Sequence, residues 1–528
     1  MYTRLEERLH KLSNQQLGSC LRESRNGLEK ESLRVNHAGH MAQTNHPRVL
    51  GSALTHPWIT TDYAEALLEL ITPPQAHARD ALDFLLDIET FVYQQLDKEL
   101  LWTTSMPCIL GSEADIRIAE YGHSNAGQMK HVYRRGLAWR YGKTMQVIAG
   151  IHFNYSIAED FWSVWFAEEG ETNETLRAFR DRYYMGLTRN LLRYGWLVIY
   201  LFGTSPAICK SFLGGRKASD SMRLFNKYTL YEPYGTSLRM GNIGYTNTKE
   251  NETGIRVCYD TVQSYTESLR TAINTPCSKY AEIGVKVAGE YRQLNANILQ
   301  IENEYYSTVR PKQPLEGFEK PVNALRDRGI RYIELRSIDI NAYYPSGLTQ
   351  QQLAFLEVFM HFCLLQESPN IAQTERTDIN HNQYLVAHKG RLPGLKLKDL
   401  HRSVSLKDWA NELLQGMQGV AELLDTIHDT TIYRAAVQQQ QRLVDHPEYT
   451  PSARMLEEMQ TQNESFFSFA RRKSEEHRAF FLKRHLSVEK QQSFEAMARE
   501  SLEQQIAIEA ADHLDFDSFL KKYFEGSL

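Results

Sequence analysis

The chain has 528 residues and a formal net charge of −5, which sets the first limits on its function. This length can bury a large core, and it allows two to four domains or one large enzyme domain with extensions. The near balance of charge gives no general attraction to nucleic acid or to an anionic membrane surface.

Cysteine spacing and the apolar runs indicate where the protein works. The six cysteines are scattered without a C-x-x-C motif, so we expect free thiols in a reducing cytosol, with one surface disulfide, at Cys108, left open and no partner named. The N-terminus is polar, without a signal-peptide pattern. The longest apolar run, residues 196–202, is much shorter than the ~20 residues that span a bilayer. We therefore expect a cytoplasmic protein with no membrane contact.

The first predicted elements are a helix over residues 5–20 and a strand over Gly27–Val35. Side chains two apart on a strand share a face, so Glu29 and Glu31 lie together. At about 4 Å and an effective dielectric near 20, such a like-charge pair costs roughly 4 kcal/mol. The strand therefore needs a metal ion, a basic partner or full exposure to water.

A second acidic strand is predicted from about Ala64 to Thr72, ended by two prolines. β-Branched residues at its start and the proline stop favour a strand over a helix. Glu65 and Glu69 are four apart and share a face in either case. A long helix over residues 76–100 follows.

Two further strands carry polar residues on one face. Residues 146–156 alternate and place His152 and Asn154 together. Residues 331–340 form the clearest alternation in the chain and make Glu334 and Arg336 face the same way. Both segments are flanked by apolar residues, so we expect them inside a sheet.

The remaining chain is assigned more coarsely. Residues 171–202 and 347–365 are predicted helices, and residues 299–306 are a strand candidate. The composition changes after residue 395 to helix formers of mixed charge, so we divide the chain into a catalytic body (1–395) and a helical region packed on it (396–528). We expect no catalytic groups in the helical region.

A phosphate-binding glycine loop is rejected. Residues 136–144 resemble one, but they have one residue too many between the glycines. Trp139, Arg140 and Tyr141 are also too bulky for a backbone that must wrap a phosphate. A nucleotide would have to be held by metal and arginine.

The acidic residues of the separate strands are the stronger signal. Any one of them is more commonly a solvated or ion-paired acid, but strands with apolar flanks belong in sheet interiors. The set is Glu29, Glu31, Asp62, Glu65, Glu69 and Glu334, with His152. Oxygen ligands with at most one imidazole suit Mg²⁺ or Mn²⁺ better than zinc. Several carboxylates imply more than one ion, and several hard cations usually accompany a polyphosphate, which Arg336 would also bind.

Nine motifs carry a resemblance to a known family. They are Gly27-Leu28-Glu29-x-Glu31, Ile59 to Glu69, Ser105-Met106-Pro107, Tyr121-Gly122-x-Ser124-Asn125, Gly150-Ile151-His152-x-Asn154, Ser205-Pro206-Ala207, Thr236-Ser237-Leu238-Arg239, Leu299 to Glu304, and Tyr332-Ile333-Glu334-x-Arg336-Ser337-x-Asp339. In this order, from about residue 25 to 345, they resemble the glutamate–cysteine ligases of the proteobacterial type. The helical tail is similar only in character.

The resemblance implies a reaction and a fold. ATP would phosphorylate the γ-carboxylate of L-glutamate, and the amine of L-cysteine would attack the acyl phosphate, giving γ-glutamylcysteine, ADP and phosphate. This is the first step of glutathione synthesis. The implied fold is α+β: a glutamine synthetase-like curved, mostly antiparallel sheet forming a funnel, surrounded by helices. We expect a monomer that binds these three small molecules.

The resemblance also implies roles for individual residues. The implied metal ligands for Mg²⁺ or Mn²⁺ are Glu29, Glu31, Asp62, Glu69, His152 and Glu334. Arg336 is the implied catalytic residue, and Arg239 and Arg134 are similar to residues that hold substrate carboxylate or phosphate groups. The implied cysteine pocket consists of Tyr63, Tyr133, Leu137, Gln146, Tyr245 and Tyr306, with Tyr63 in a position where the family has phenylalanine.

Other interpretations stay open on the residues alone. Spacing fits Arg239 equally well as a surface loop arginine, and the tyrosines fit core packing with bound hydroxyls. A related ligase with another acceptor amine would keep the metal and phosphate residues and change the pocket. A glutamate-binding regulatory protein without catalysis is the alternative outside enzymes.

Overall fold

The computed structural model describes residues 2–13, 17–107, 109–215, 217–244, 256–400 and 402–528. In chain order the strands are β1 (Arg25–Val35), β2 (Ile59–Thr61), β3 (Leu67–Ile71), β4 (Leu100–Leu101), β5 (Ile151–Ser156), β6 (Ala207–Cys209), β7 (Arg223–Asn226), β8 (Thr229–Tyr231), β9 (Lys286–Val287), β10 (Glu290–Tyr291), β11 (Val309–Lys312), β12 (Tyr332–Ile338), β13 (Lys396–Asp399) and β14 (Arg402–Ser405).

The described helices are α1 (Thr3–Ser13), α2 (Ala78–Gln95), α3 (Asn125–Tyr141), α4 (Glu159–Glu169), α5 (Leu176–Tyr194), α6 (Trp196–Phe202), α7 (Val262–Asn274), α8 (Ser278–Ala281), α9 (Pro321–Arg328), α10 (Gln350–Leu365), α11 (Gln373–Lys389), α12 (Leu406–His428), α13 (Ile432–Asp445), α14 (Pro451–Thr461), α15 (Phe466–Lys483), α16 (Val488–Ala511) and α17 (Phe516–Glu525).

The central sheet has seven strands and positions the site. Its order is β11-β12-β5-β1-β3-β2, with β4 paired to the end of β1, and its described pairings are antiparallel. The α+β fold class, with a mostly antiparallel sheet, surrounding helices and a helical C-terminal region, is thereby confirmed.

Helices cover one face of this sheet. On β1, Lys30 donates to Glu89 of α2 at 2.7 Å, and both side chains are buried. Since successive strand residues point to opposite faces, Glu29 and Glu31 lie on the other face. The predicted sharing of a face by these two acids is confirmed.

The expected strand over residues 64–72 is wrong in its first part. The chain makes a hairpin, in which β2 and β3 are joined by a turn closed by a hydrogen bond from Asp62 N to Leu67 O of 3.0 Å. Glu65 lies in that turn, and its carboxylate accepts from the backbone N–H groups of His46 and Glu120. Glu65 and Glu69 therefore do not share a face.

Residues 299–306 are also not a strand. Glu302–Glu304 form a short 3-10 turn, and the Glu304 carboxylate accepts a hydrogen bond from Gln300 N at 2.6 Å. Side-chain-to-backbone bonds of this kind replace the ladder that a strand would need.

The other predicted elements are confirmed with shifted ends. The helix expected over residues 5–20 is α1, followed by a short 3-10 helix over Leu17–Leu21, and residues 171–202 form α5 and α6. The clear alternation of residues 331–340 corresponds to β12.

Two further expectations concern thiols and membranes. Cys20, Cys258, Cys277 and Cys363 carry free thiols, whereas Cys209 is disulfide-bonded, so the expectation of free thiols fails at that residue; Cys108 lies outside the described residues. In the described part of the chain, no helix has both the length and the apolar character needed to cross a bilayer.

Candidate active site

Strand register brings the predicted acids together on the face of the sheet opposite to Lys30 and α2. Glu29 of β1 lies opposite His152 of β5, and Glu31 lies opposite Glu69 of β3. On β12, Glu334 lies opposite Asn154, two residues from His152. Side chains opposite or diagonal to one another on one face are within reach, so residues distant in sequence meet at one point.

His152 lies at the centre of this group. Its Nδ1 is 2.9 Å from Glu29 Oε2 and 3.5 Å from Glu334 Oε1, and its Nε2 is 3.6 Å from Glu31 Oε1. Two sets of potential ligand atoms follow, each within 4.8 Å of one another, and both contain His152. One set adds Glu29 and Glu334, and the other adds Glu31 and Glu69.

Asp62 reaches the same site from a turn and not from a strand. It follows β2 at the hairpin turn and lines the cavity beside Glu69 and Glu29. Its backbone oxygen accepts hydrogen bonds from Arg134 and Tyr121. Asp62 is outside both compact ligand sets, although its charge is felt by Glu31 and Glu69.

The carboxylates divide into two electrostatic classes. Burial, and then the charge of Glu29 and other carboxylates, raises the pKa of Glu69 well above its usual range. Burial likewise raises the pKa of Glu31. Burial opposes ionisation of Glu334 too, but Arg336 and Lys312 together hold its pKa well below the usual range. Crowded, buried acids of this kind favour either protons or cations as partners.

The donor set fits divalent cations. Five of the six predicted ligands, four carboxylates and one imidazole, lie in the two compact sets, which is the chemistry that Mg²⁺ and Mn²⁺ prefer. Glu334 Oε2 is buried and accepts no hydrogen bond in the described part of the chain, although Lys312 Nζ is 3.4 Å away. A buried oxygen in that state is suited to a metal ion.

Arg336 lies beside the ligand sets, as the sequence predicts. It donates to Glu334 Oε1 at 2.8 Å, is 3.4 Å from His152 Nδ1 and lines the cavity. Lys312 of β11 lines the same part of the cavity. Sequence reasoning missed this lysine, because its strand has no alternation that marks it.

With His152, the acids Glu29, Asp62, Glu69 and Glu334 form the floor of a cavity of about 490 Å³, and Glu31 lies next to His152 without lining the cavity. This volume is within the range typical of small-molecule sites. Five predicted pocket residues line it: Tyr63 of the hairpin turn, Tyr133 and Leu137 of α3, and Gln146 and Tyr306 from two further segments. Tyr306 OH donates to Gln146 Oε1 at 3.0 Å. Tyr245 lies outside the described residues.

The two predicted substrate arginines are placed differently. Arg134 of α3 lines the cavity, and its guanidinium lies 4.7 Å from the centre of the Tyr121 ring. Arg239 is buried and is not among the residues that line the cavity. It donates to Arg336 O at 2.8 Å and lies 3.7 Å from Asp339 Oδ1.

Asp339 was not assigned a role by sequence and organises the loops behind Arg336. It accepts hydrogen bonds from Thr204 N, Ser205 Oγ and Ser237 Oγ. The loops that carry these groups therefore meet at one buried carboxylate, next to Arg239. In the sequence, the Ser and Thr residues near positions 205 and 237 were visible as short motifs, but nothing indicated that Asp339 accepts their hydrogen bonds.

The fold and site define a class of protein: an enzyme with an antiparallel sheet that collects carboxylates and arginine at the floor of a cavity for small molecules. The model of the family described as glutamate-cysteine ligase matches residues 9–386. A glutamate–cysteine ligase of Alcanivorax borkumensis is 46% identical over 525 residues, covering 98% of this chain and 99% of the relative. One of Pseudomonas putida is 46% identical over 503 residues, covering 95% of each.

Solved structures agree. A glutamate–cysteine ligase of Francisella tularensis in complex with AMP is 33% identical, with a TM-score of 0.89, and covers 96% of this chain and 98% of its own. A bifunctional glutathione synthetase of Pasteurella multocida, 24% identical with a TM-score of 0.72 over 93% of this chain and 58% of its own, shares the fold. The chain belongs to the glutamate–cysteine ligase family.

Proposed function

We propose that the protein joins the γ-carboxylate of L-glutamate to the amine of L-cysteine at the expense of ATP, with γ-glutamylcysteine, ADP and phosphate as products. The observation that carries this proposal is the meeting of Arg336 and the two carboxylate–imidazole sets at the floor of the cavity that also holds the tyrosine pocket. Phosphate and acceptor amine could therefore meet in one enclosed space.

Mg²⁺, with Mn²⁺ as an alternative, is the proposed metal. Its ligands would be Glu29, Glu31, Asp62, Glu69, His152 and Glu334. When bound, it would neutralise the charge of the phosphates and polarise the transferred phosphoryl group. Asn154 supports this arrangement, because its amide donates to Glu29 Oε1 at 2.8 Å and so fixes the direction of that carboxylate.

The chain's cations act on the phosphoryl group. A γ-carboxylate oxygen of glutamate attacks the terminal phosphorus of ATP, a new P–O bond forms, and the bond to ADP breaks. Arg336 and Lys312 are positioned to hold the equatorial oxygens while charge moves from ADP to the acyl phosphate. The amine then attacks the acyl carbon, the C–N bond forms as the C–O bond to phosphate breaks, and the proton released by the amine passes to the departing phosphate or to water.

The acceptor pocket lies beside this centre. Tyr63, Tyr133 and Tyr306 offer rings to a small side chain, and their hydroxyls, with Gln146, offer polar contacts. Arg134 is positioned at the rim of the pocket to hold a carboxylate. We propose that Arg239 does not contact the phosphates directly. It donates a hydrogen bond to the backbone oxygen of Arg336 and so holds Arg336 in position.

ATP is placed with its phosphates along Arg336 and Lys312. Beyond Lys312 the cavity opens toward an apolar slot of about 210 Å³, lined by residues that include Leu269, Tyr332 and Pro311. Leu315 and Pro321 border both spaces. The rim that the two spaces share, at Leu315 and Pro321, is suited to the nucleoside, and the AMP-bound relative supports a nucleotide site in this fold.

We also propose a monomer in the cytoplasm, where ATP is available, with a catalytic body (1–395) and a helical region (396–528). Light scattering of the purified protein with and without substrates tests the monomer, and a stable dimer would contradict it.

An assay of acceptor amines tests the function. The purified protein with Mg²⁺, ATP and L-glutamate should release ADP rapidly with L-cysteine and form γ-glutamylcysteine, identified by mass. Faster turnover with another amine would favour a related ligase. Undetectable ADP release with every amine would favour a glutamate-binding protein without catalysis.

A further inference from the structure

The C-terminal helix α17 reaches the cavity, although its sequence gave no catalytic signal and it lies beyond the residues that the family model matches. Its Tyr523 is among the cavity-lining residues, and the ring is mostly buried. Phe519, Leu520 and Tyr523 come three, four and seven residues after Phe516, so the four side chains form one face of the helix.

This face is held against both walls of the cavity. On one side, Phe519 and Leu520 pack with Val132 of α3, in a cluster that also contacts Met129 and Tyr133. Of these three α3 residues, Met129 and Tyr133 also line the cavity. Helix α17 is therefore fixed to α3, which contributes Tyr133 and Leu137 to the tyrosine pocket.

On the other side, α17 contacts the segment 315–321. Lys320 Nζ donates to Phe524 O at 2.7 Å and lies 5.7 Å from the centre of the Tyr523 ring. The rings of Phe318 and Phe519 meet edge to face at 5.7 Å. Helix α17 thus bridges the mouth of the cavity, from α3 to the loop before α9.

The segment before α17 is anchored as well. Asp512 accepts a hydrogen bond from Asn125 Nδ2 at 2.5 Å, and Leu514 O accepts one from the same amide at 2.8 Å. Asn125 begins α3. A ten-residue helix is marginal by itself in water, so these contacts decide where Tyr523 lies.

The rim beside Tyr523 carries apolar side chains open to solvent. Leu315 is 50% exposed and Phe318 is 52% exposed, and both line the cavity with Tyr523 and Pro321. Grouped apolar side chains at the mouth of a polar cavity are typical of a surface that a ligand covers. The charged end of the cavity, at Arg336 and Lys312, lies at its floor.

From this placement we propose that α17 completes the nucleotide end of the site, and that Tyr523 and Phe318 contact the nucleoside of ATP. This rests on the proposed function, because it takes the phosphates to lie at Arg336. A planar base and its ribose suit two aromatic rings at the mouth.

The test compares Tyr523→Ala, Tyr523→Phe and Phe516→Ala in the full-length protein. Phe516 is the matched control, because it lies on the same helix face and packs on the Tyr291 ring at 5.1 Å but does not line the cavity. KM for ATP, KM for cysteine and kcat are measured, and ADP binding is measured by calorimetry with Mg²⁺ present.

We expect Tyr523→Ala to raise KM for ATP and Kd for ADP about tenfold, since loss of one base–aromatic contact has an effect of that order. KM for cysteine should change less than about twofold, and Tyr523→Phe should resemble wild type, because the ring is retained. If Tyr523→Ala does not fold, Phe318→Ala replaces it, since that side chain is half exposed and adds little to the core.

Three results would overturn the proposal: unchanged nucleotide affinity in Tyr523→Ala, an equal loss in Phe516→Ala, or a rise in KM for cysteine instead of ATP. Failure of the proposed function would look different. The wild-type protein would then form no γ-glutamylcysteine, while the calorimetric comparison of ADP binding would still report on Tyr523.

Discussion

At the scale of single residues, the floor of the cavity is defined by how one imidazole and four carboxylates share space. His152 lies within 3.6 Å of three carboxylates, and two of the four acids have raised pKa values because they are buried near like charges. Repulsion among these carboxylates raises the free energy of the folded protein, and bound cations would remove that repulsion. This group of residues is therefore a site built for ligands.

Glu69→Gln should have opposite effects on stability and on activity. Without divalent cations we expect a higher melting temperature than wild type, because a neutral amide replaces a carboxylate whose ionised form is disfavoured beside the other acids. With Mg²⁺ and substrates, kcat/KM should fall about 100-fold or more, since a carboxylate ligand of the proposed metal is lost at the phosphoryl site. Thermal unfolding with and without EDTA, together with ADP release, measures both effects.

Glu65→Gln is the matched control on the same hairpin. Its carboxylate binds two backbone N–H groups outside the cavity, so this variant should lose stability and keep its kcat. Equal losses of activity in the two variants would contradict the assignment of Glu69 as a metal ligand.

Arg336→Lys tests the phosphoryl contact. Lysine keeps the charge but loses the planar fork that binds phosphate oxygens in pairs, so kcat should fall about 100-fold while KM for cysteine changes little. The control is Arg331→Lys, just before the same strand, where the side chain pairs with Glu159 at the surface. A normal kcat in Arg336→Lys would remove Arg336 from the catalytic step.

At the scale of elements, sequence was most informative where a strand alternates between two buried faces. β1 and β12 were predicted with their facing acids, because a period of two is visible over seven or more residues. The hairpin of β2 and β3 was missed, since its turn uses Asp62 and Glu65 in place of glycine. Residues 299–306 were misassigned because their alternation reflects a turn held by Glu304. Strand order, which creates the site, has no local signal.

The turn at residues 302–304 is held by a buried ion pair that joins it to α3. Arg140 Nη1 is 3.0 Å from Glu304 Oε1, and both side chains are fully buried. Tyr141 OH also donates to Glu304 Oε1 at 2.7 Å. Since Tyr306 follows this turn and Leu137 precedes Arg140 on α3, the pair fixes two walls of the acceptor pocket relative to each other.

Arg140→Met should therefore affect cysteine more than ATP. Breaking a buried pair by removing one partner costs about 3–5 kcal/mol of stability, and the displaced turn should raise KM for cysteine about tenfold with a smaller change in KM for ATP. Urea unfolding and steady-state kinetics measure these. The double variant Arg140→Met, Glu304→Leu should recover part of the stability, and an unchanged KM for cysteine in Arg140→Met would contradict the positioning role.

At the scale of the whole molecule, α10 joins the catalytic sheet to the C-terminal helices. Every residue from Gln352 to Leu365 is buried, as expected of a helix that is covered on all sides. It contacts α2 and α5 on one side and α12 and α13 on the other. The C-terminal helices therefore share one core with the sheet, and the proposed division at residue 395 is one of sequence character more than of separate folding units.

A single acid inside this shared core should set part of the pH dependence of stability. Glu357 of α10 is 4% exposed, and its Oε2 accepts a hydrogen bond from Tyr433 OH of α13 at 2.6 Å. Burial raises the pKa of Glu357 from 4.5 to about 7. Between these values the unfolded chain has lost the proton that the folded protein keeps, so the free energy of unfolding falls as pH rises.

This loss should amount to roughly 3 kcal/mol by neutral pH and be complete above about pH 7. Glu357→Gln cannot ionise and can still accept from Tyr433, so its unfolding free energy should exceed that of wild type at about pH 8.5 and lack this part of the slope. Urea titrations at about pH 5 and about pH 8.5 measure the difference. Glu422→Gln, an exposed acid on α12, should follow the wild-type slope, and a parallel slope for Glu357→Gln would show that Glu357 is ionised in the folded protein.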